Sequence, residues 1–190
     1  MENPIPEKKK DKDKTQRERQ TFYRVAFKNN CNLLQIADNK ANIIITINSV
    51  VISSTIAILG YGSISNLIEF DSLLTIGPIL LFLGVILIST MLAVQAAKPT
   101  ILGNEKKNDL KPKSSLLFFG DSSKYKMEEY LEATKKMLGD KGSIQDHMSI
   151  SLYYQGKVMD RKYRLIRKSY EVFVLGLSLG ILIFIAYLVY

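Results

Sequence analysis

A cluster of basic residues in the C-terminal part of the chain has the spacing of an anion-binding surface. The segment Asp160–Lys168 reads Asp-Arg-Lys-Tyr-Arg-Leu-Ile-Arg-Lys, so its three arginines recur every third residue. Residues three apart share one side of a helix, and an arginine fork can hold two oxygens of a phosphate. Arg161, Arg164 and Arg167 are therefore candidate phosphate ligands, and Tyr163 is a candidate to stack on a base. Contact with lipid phosphate beside a membrane span is the alternative.

An amide side chain interrupts the apolar face of a helix near the N-terminus. From residue 21 onwards the pattern is helical, and one face carries Phe22, Ala26, Leu33 and Ile36. Asn29 falls in the middle of this face, where an apolar residue is expected. Either Asn29 forms a hydrogen bond within a packed pair of helices, or its amide contacts a ligand.

A stripe of polar residues continues along the same helix into an apolar stretch. Its members recur at intervals of three and four and are Gln35, Asp38, Asn42, Thr46, Ser49 and Ser53, with Gly60 beyond them. Polar side chains are costly against lipid, so the stripe must face other helices or water. Close helix packing and a water-filled lumen in an oligomer both fit. Asp38 and its neighbour Lys40 can pair with each other or with the basic cluster.

The sequence contains no recognisable catalytic motif. It has no glycine-rich phosphate loop, no His-Glu-x-x-His zinc motif and no nucleophile elbow. Cys31 is the single cysteine and His147 the single histidine, so neither a disulfide framework nor a Cys/His metal site is expected. We therefore expect a protein that is not an enzyme and that uses no metal or cofactor.

Two long stretches of the chain are almost free of charge, and all 26 Lys and Arg residues lie outside them. Between Lys40 and Lys98 only Glu69 and Asp71 are charged, and no charged residue follows Glu171. About 20 apolar residues form a helix long enough to cross a bilayer core of about 30 Å. Three segments qualify as transmembrane helices: 41–61, 73–97 and 172–190.

The distribution of basic residues predicts the orientation of these crossings. Residues 1–40 carry ten Lys and Arg residues and residues 98–170 carry sixteen, whereas residues 62–72 carry none. Basic flanks remain in the cytoplasm, so we expect a cytoplasmic N-terminus and an external C-terminus. The net charge of +8 then favours contact with anionic lipid headgroups over contact with nucleic acid.

The predicted fold is mostly α, a three-helix transmembrane protein with a small helical cytoplasmic domain between crossings two and three. A helical arm continues into the first crossing, because no Pro or Gly separates them. Gly176 and Gly180 form a GxxxG pattern in the third crossing, which favours close helix association within or between subunits. The predicted segments are a disordered basic tail (1–20), the arm (21–40), crossing one (41–61), an external link (62–72), crossing two (73–97), a sensor domain (98–171) and crossing three (172–190).

Three blocks of the sequence resemble the Pycsar membrane effectors. The most specific block is Ala37-Asp-Asn-Lys-Ala-Asn-Ile-Ile-Ile-Thr-Ile-Asn-Ser49, in which an Ala-Asp-x-Lys-Ala-Asn motif leads directly into a crossing. The other two are Ser115-Leu-Leu-Phe-Phe-Gly120 and Lys157-Val-Met-Asp-Arg-Lys-Tyr-Arg-Leu-Ile-Arg167. Lys28 replaces the Arg of other members and precedes the expected Asn29. The resemblance extends from Lys28 to Gly176.

The resemblance implies an antiphage effector in the bacterial inner membrane. In that family a pyrimidine cyclase makes cyclic UMP or cyclic CMP on infection, and the effector senses the nucleotide and disrupts the membrane. The infected cell then halts before phage replicate, which is abortive infection. The resemblance is compatible with a homo-oligomer and implies no catalysis by this chain. The residues expected to contact the nucleotide are Asn29, Asn42, Arg161, Tyr163, Arg164 and Arg167. The arginines would bind its phosphate, the asparagines its ribose or base edge, and the tyrosine its base face.

Two other functions fit the same topology. A membrane-anchored scaffold would recruit a soluble partner through residues 98–170, and a holin-like toxin would open the membrane without a signal. The continuity of the cytoplasmic and membrane helices favours a regulated effector over a scaffold that is only anchored in the membrane.

Overall fold

The protein is mostly helical in the part of the chain that the computed structural model describes, residues 7–65, 73–99 and 115–189. Its helices are α1 (Glu7–Ile64), α2 (Leu73–Ala97), α3 (Phe119–Ser122), α4 (Met127–Gly139) and α5 (Lys141–Val189). Three of them, α1, α2 and α5, contain segments long and apolar enough to cross a membrane. The predicted mostly α, three-helix transmembrane class is therefore confirmed.

Helix α1 runs for 58 residues without interruption. Its continuity from the arm into the first apolar segment agrees with the prediction, because neither Pro nor Gly occurs between Glu7 and Ala57. The helix begins at Glu7, however, so residues 7–20 are helical and do not form the disordered tail expected for 1–20. This segment is rich in Lys, Glu, Arg and Gln, straight-chain residues that lose little rotamer freedom in a helix.

The ends of α2 coincide with the predicted second crossing, residues 73–97. Pro99 accounts for the end of this helix, because proline disfavours helical backbone at the residue before it. Of the predicted external link, residues 62–64 belong to α1, and residues 66–72 lie outside the described residues. Residues 1–6, most of the loop after Pro99 and Tyr190 also lie outside them.

The chain divides into two compact units, each built from separate parts of the sequence. The first, which we call the head unit, comprises Met1–Leu34 and Thr100–Met159. The second, which we call the membrane unit, comprises Gln35–Pro99 and Asp160–Tyr190. Helices α1 and α5 each contribute a segment to both units.

A docked loop, residues 115–118, organises the head unit on the surface of α5. The hydroxyl of Ser115 donates to the carbonyl oxygen of His147 at 2.7 Å, and Nδ1 of His147 accepts from the amide of Leu116 at 3.3 Å. Leu116 and Phe118 are buried, and the Phe118 ring lies 5.3 Å from that of Tyr154. The apolar run that begins at Ser115 is therefore a loop packed on α5 and followed by α3.

Small residues allow the helices of the membrane unit to approach closely. The core contains Ala37, Ala41 and Ile44 from α1, Ala93 and Ala96 from α2, and Ile166 from α5. In contrast, only 11%, 17% and 11% of the most apolar windows of α1, α2 and α5 are buried within the chain. Exposed side chains such as Val50, Leu87 and Leu175 present an apolar surface of the kind that lipid covers.

A fully buried polar triad joins the three long helices of the membrane unit. Asn48 on α1, Ser89 on α2 and Ser169 on α5 are each 0% exposed. The amide of Asn48 donates to Ser89 Oγ at 3.0 Å, and Ser89 Oγ donates to the backbone oxygen of Ser169 at 2.9 Å. Ser169 Oγ donates in return to the backbone oxygen of Ser89 at 2.7 Å. Unpaired polar groups are costly in an apolar interior, so these bonds select one register for the three helices.

The two glycines of the GxxxG pattern lie where α5 meets α2. A Cβ atom added to Gly176 would lie 2.8 Å from Val85 Cγ1, and one added to Gly180 would lie 2.7 Å from Phe82 Cε2. The close association expected of this pattern therefore occurs within the chain.

Replacing the triad asparagine should destabilise the membrane unit. We expect Asn48→Ala to lower the free energy of unfolding by roughly 1–2 kcal/mol, because Ser89 loses a donor and the site loses packing. Ser49→Ala is the matched control: Ser49 is exposed and bonds its own helix at Ile45, so its loss should stay within about 0.5 kcal/mol. Unfolding titrations in detergent micelles measure both, and equal effects would contradict the role of the triad.

Adding a side chain at the helix contact should also destabilise the unit. We expect Gly176→Val to cost about 1–3 kcal/mol, because its methyl groups would overlap Val85. Gly84→Val introduces the same residue into α2, where an added Cβ meets nothing within 4 Å. Melting temperatures of the two variants in one detergent separate the effect of the contact from that of losing a glycine. A Gly84→Val shift as large as that of Gly176→Val would refute the contact.

Candidate functional site

The arginines of the basic cluster lie on the surface of α5, within the membrane unit. Arg164 contacts Asp160 at 3.0 Å and Arg167 contacts Glu171 at 2.9 Å. Exposed pairs four residues apart on a helix contribute only about 0.3–0.5 kcal/mol, so a phosphate can replace either carboxylate at little cost. Arg161 is also exposed. The cluster is therefore accessible to the phosphate of a lipid or of a nucleotide.

The ring of Tyr163 is already in contact with other groups. Tyr163 is half-buried against the core of the membrane unit, and the Lys40 Nζ atom lies 5.9 Å from its ring centroid. At this distance the ammonium group is attracted to the ring face. A base that stacked on Tyr163 would have to displace Lys40.

The predicted asparagines are exposed on α1 and fall in different units. Asn29 belongs to the head unit and Asn42 to the membrane unit. Asn29 borders a groove of about 670 Å³ whose other lining residues all belong to α1, among them Arg17 and Phe22. Because one helix supplies all of the lining that the structure describes, no opposing wall is present among those residues. Within the described residues, no hydrogen bond joins either asparagine to an arginine of the cluster.

Beyond Asp38, the polar stripe of α1 does not pack on the other described helices of its own chain. Thr46, Ser49 and Ser53 are exposed, while the neighbouring alanines and Asn48 form the buried face. Thr46 donates to the backbone oxygen of Asn42 at 2.9 Å, so its hydroxyl is satisfied within the helix. Packing between subunits and a water-filled lumen both stay predictions for this stripe.

An ion pair at one end of the membrane unit links α1 to the basic cluster. The Lys162 ammonium, only 8% exposed, contacts the carboxylate of Asp38, which is 45% exposed. Of the two pairings expected for Asp38, the structure has the one with the cluster. An ammonium group buried to this extent requires an opposite charge, because its desolvation is otherwise uncompensated. Lys162 is therefore a structural member of the cluster, and the exposed arginines are its surface members.

The head unit contains a cleft of about 650 Å³ that the sequence analysis missed. It is lined by Gln16, Gln20, Tyr23, Arg24 and Phe27 of α1, by Leu117 of the docked loop, and by Ile144, Gln145 and Met148 of α5. Small-molecule sites have volumes of roughly 300–1,000 Å³ and combine apolar walls with a few polar groups. This composition and volume make the cleft a candidate ligand site.

The two walls of the cleft are joined by a hydrogen bond. The hydroxyl groups of Tyr23 on α1 and Ser149 on α5 lie 2.8 Å apart. These residues are 126 positions apart in the sequence, so no local pattern brings them together. The local sequence signal for the cleft is the face of α1 opposite Phe22. The same pattern is typical of a helix face that is exposed to solvent.

No metal centre is evident in the part of the chain that the structure describes. Among those residues, no group of three or more His, Cys, Asp or Glu side chains is placed to hold an ion.

Removal of the carboxylate that pairs with Lys162 should destabilise the membrane unit. We expect Asp38→Ala to cost roughly 1–3 kcal/mol, less than a fully buried pair would because Asp38 is partly exposed. Glu171→Ala breaks an exposed pair and should cost less than about 0.5 kcal/mol. Unfolding titrations in detergent measure the free energy of unfolding of both variants. Adding Lys162→Met to Asp38→Ala should restore stability, and failure to do so would contradict an effect of the uncompensated charge.

The chain matches the Pycsar effector protein domain over residues 22–190, which include the apolar segments of α1, α2 and α5 and the described head unit apart from residues 7–21. No curated protein and no solved structure shows significant similarity to the chain. The domain match covers most of the sequence and agrees with the blocks from Ala37, Ser115 and Lys157. The chain therefore belongs to the Pycsar effector family and is an antiphage transmembrane effector.

Proposed function

We propose that the chain senses a cyclic pyrimidine mononucleotide, cyclic UMP or cyclic CMP, and disrupts the bacterial inner membrane in response. Membership of the family implies a cyclic nucleotide signal and a membrane setting. The observation that carries the proposal is the continuity of α1 and α5. Each of these helices includes a segment of the head unit and an apolar segment long enough to cross a bilayer. No flexible linker separates sensing residues from membrane residues in either helix.

The proposed orientation places the head unit in the cytoplasm. Residues 1–40 and 98–170 carry all 26 basic residues, and basic flanks are retained on the cytoplasmic side. The N-terminus is then cytoplasmic and the C-terminus external. A cyclase that responds to infection would release its product into the same compartment as the head unit.

For the ligand to trigger disruption of the membrane, it must bind the membrane-disrupting state of the protein more tightly than the resting state. A ligand shifts such an equilibrium only by its difference in affinity for the two states, and a change from 1:99 to 99:1 needs a preference of about 10⁴-fold. The exposed polar stripe of α1 supports a second, assembled state, since polar side chains in a bilayer must meet protein or water. We propose that subunits assemble through Thr46, Ser49 and Ser53, with these residues packed together or lining a lumen.

The proposed activity does not require catalysis by this chain. The nucleotide acts as a signal made by the paired cyclase, and it is not consumed by the effector. Loss of membrane integrity would halt the infected cell, and no metal or cofactor is needed for that outcome.

Permeability of reconstituted liposomes tests the proposed function. We expect the purified full chain to release a trapped dye when cyclic UMP or cyclic CMP is added at saturation, and to retain it without nucleotide. Linear UMP and CMP are the matched controls and should give no release. They keep the base, but their phosphate is a monoester and not part of a ring.

Two outcomes would contradict the proposal. Liposomes that stay impermeable with both cyclic nucleotides would exclude nucleotide-gated disruption and favour the scaffold. Equal release with and without nucleotide would indicate the constitutive, holin-like activity.

A further inference from the structure

We infer that the cleft between α1 and α5 in the head unit is the binding site for the cyclic pyrimidine mononucleotide. This inference rests on the proposed function and adds the location of the site. It differs from the expectation drawn from the sequence, which assigned the phosphate to the basic cluster of residues 160–168.

The charge of the cleft matches the charge of the ligand. Arg24 is the one charged side chain among the described residues that line it, and a cyclic mononucleotide carries a single negative charge. Arg24 forms no ion pair with any residue that the structure describes, so no carboxylate has to be displaced before it contacts a phosphate. An exposed arginine without a carboxylate can direct its planar fork to two phosphate oxygens.

The remaining lining offers both a stacking surface and hydrogen-bonding groups for a pyrimidine. Phe27 and Tyr23 supply aromatic rings, and base–aromatic stacking stabilises bound bases irrespective of their identity. Gln20 and Gln145 supply amides, each of which both donates and accepts. An amide can turn to match the edge of uracil or of cytosine, so the lining accommodates either base.

The cleft also has the two walls that other candidate surfaces lack. Among the described residues, the groove beside Asn29 is lined by α1 alone, and the exposed arginines of the basic cluster all lie on α5. In the cleft, α1 faces α5, the Tyr23–Ser149 hydrogen bond joins them, and the docked loop holds Leu117 at the edge. A nucleotide between these walls would contact both of the helices that continue into the membrane segments.

Binding measurements with arginine variants test this assignment. The detergent-solubilised full chain is titrated calorimetrically with cyclic UMP and with cyclic CMP. We expect Arg24→Ala to weaken binding of the activating nucleotide roughly 10- to 100-fold, because a charge-assisted hydrogen bond is lost. Arg24→Lys keeps the charge without the fork and should give an intermediate loss.

Two other arginines provide matched controls. Arg17 is exposed on α1 outside the cleft, and Arg164 is exposed on α5 in the basic cluster. We expect Arg17→Ala and Arg164→Ala to change the dissociation constant less than about threefold. Phe27→Leu keeps apolar bulk but removes the ring, and we expect it to weaken binding roughly tenfold. Melting temperatures without nucleotide verify that each variant is folded.

The outcomes distinguish failure of the site from failure of the function. If the wild-type chain binds and Arg24→Ala binds equally well while Arg164→Ala does not, the basic cluster is the site and the proposed function stands. If the wild-type chain binds no cyclic mononucleotide, the proposed function fails and this inference with it. A third arm uses phosphatidylglycerol vesicles. If Arg24→Ala weakens vesicle binding but leaves nucleotide binding intact, the cleft takes a lipid headgroup and the inference is overturned.

Discussion

The buried hydrogen bonds between Asn48, Ser89 and Ser169 are the interaction on which the membrane unit depends. Apolar packing between helices is weakly directional, and lipid tails compete for the same surfaces, so apolar contacts alone do not select one arrangement. Buried polar groups do select one arrangement. Sliding or rotating a helix would leave the NH2 group of Asn48 or a serine hydroxyl without its partner in an apolar interior. With one residue from each long helix, the triad defines which faces are buried, and the small alanines and Gly176 let those faces meet.

This choice of buried faces explains what α1 leaves exposed. Once Ala37, Ala41 and Asn48 are turned inward, the part of the stripe that contains Thr46 and Ser49 must point away from the chain's other described helices. The internal hydrogen bonds of these hydroxyls make such exposure tolerable, and the remaining polarity is available for contact with other subunits or water. The membrane unit thus combines a specific internal core with an outer surface that is suited to assembly.

We propose that the head unit and the basic cluster have separate tasks, which the sequence analysis had assigned to the basic cluster together with Asn29 and Asn42. Around residues 160–168 the buried Lys162 pairs with Asp38, and the surface arginines pair weakly along their helix, which suits residues at a membrane boundary. Among the described residues that line the cleft, Arg24 is the one cation, and it lies beside aromatic and amide side chains. Because α1 and α5 wall the cleft and continue into apolar segments, a ligand there would contact both of these helices.

The sequence by itself determined the helical class, the apolar segments and the family, because charge distribution, hydropathy and the Ala37–Ser49 block are local properties of the chain. It predicted the ends of α2 correctly and the continuity of α1, but it mistook the Lys-rich start of α1 for a disordered tail. Only the tertiary structure decided which face of α1 is buried, which partner Asp38 takes, and that Tyr23 meets Ser149. These features join residues more than 40 positions apart. Helical periodicity shows which residues share a face of a helix, but packing decides which face is buried.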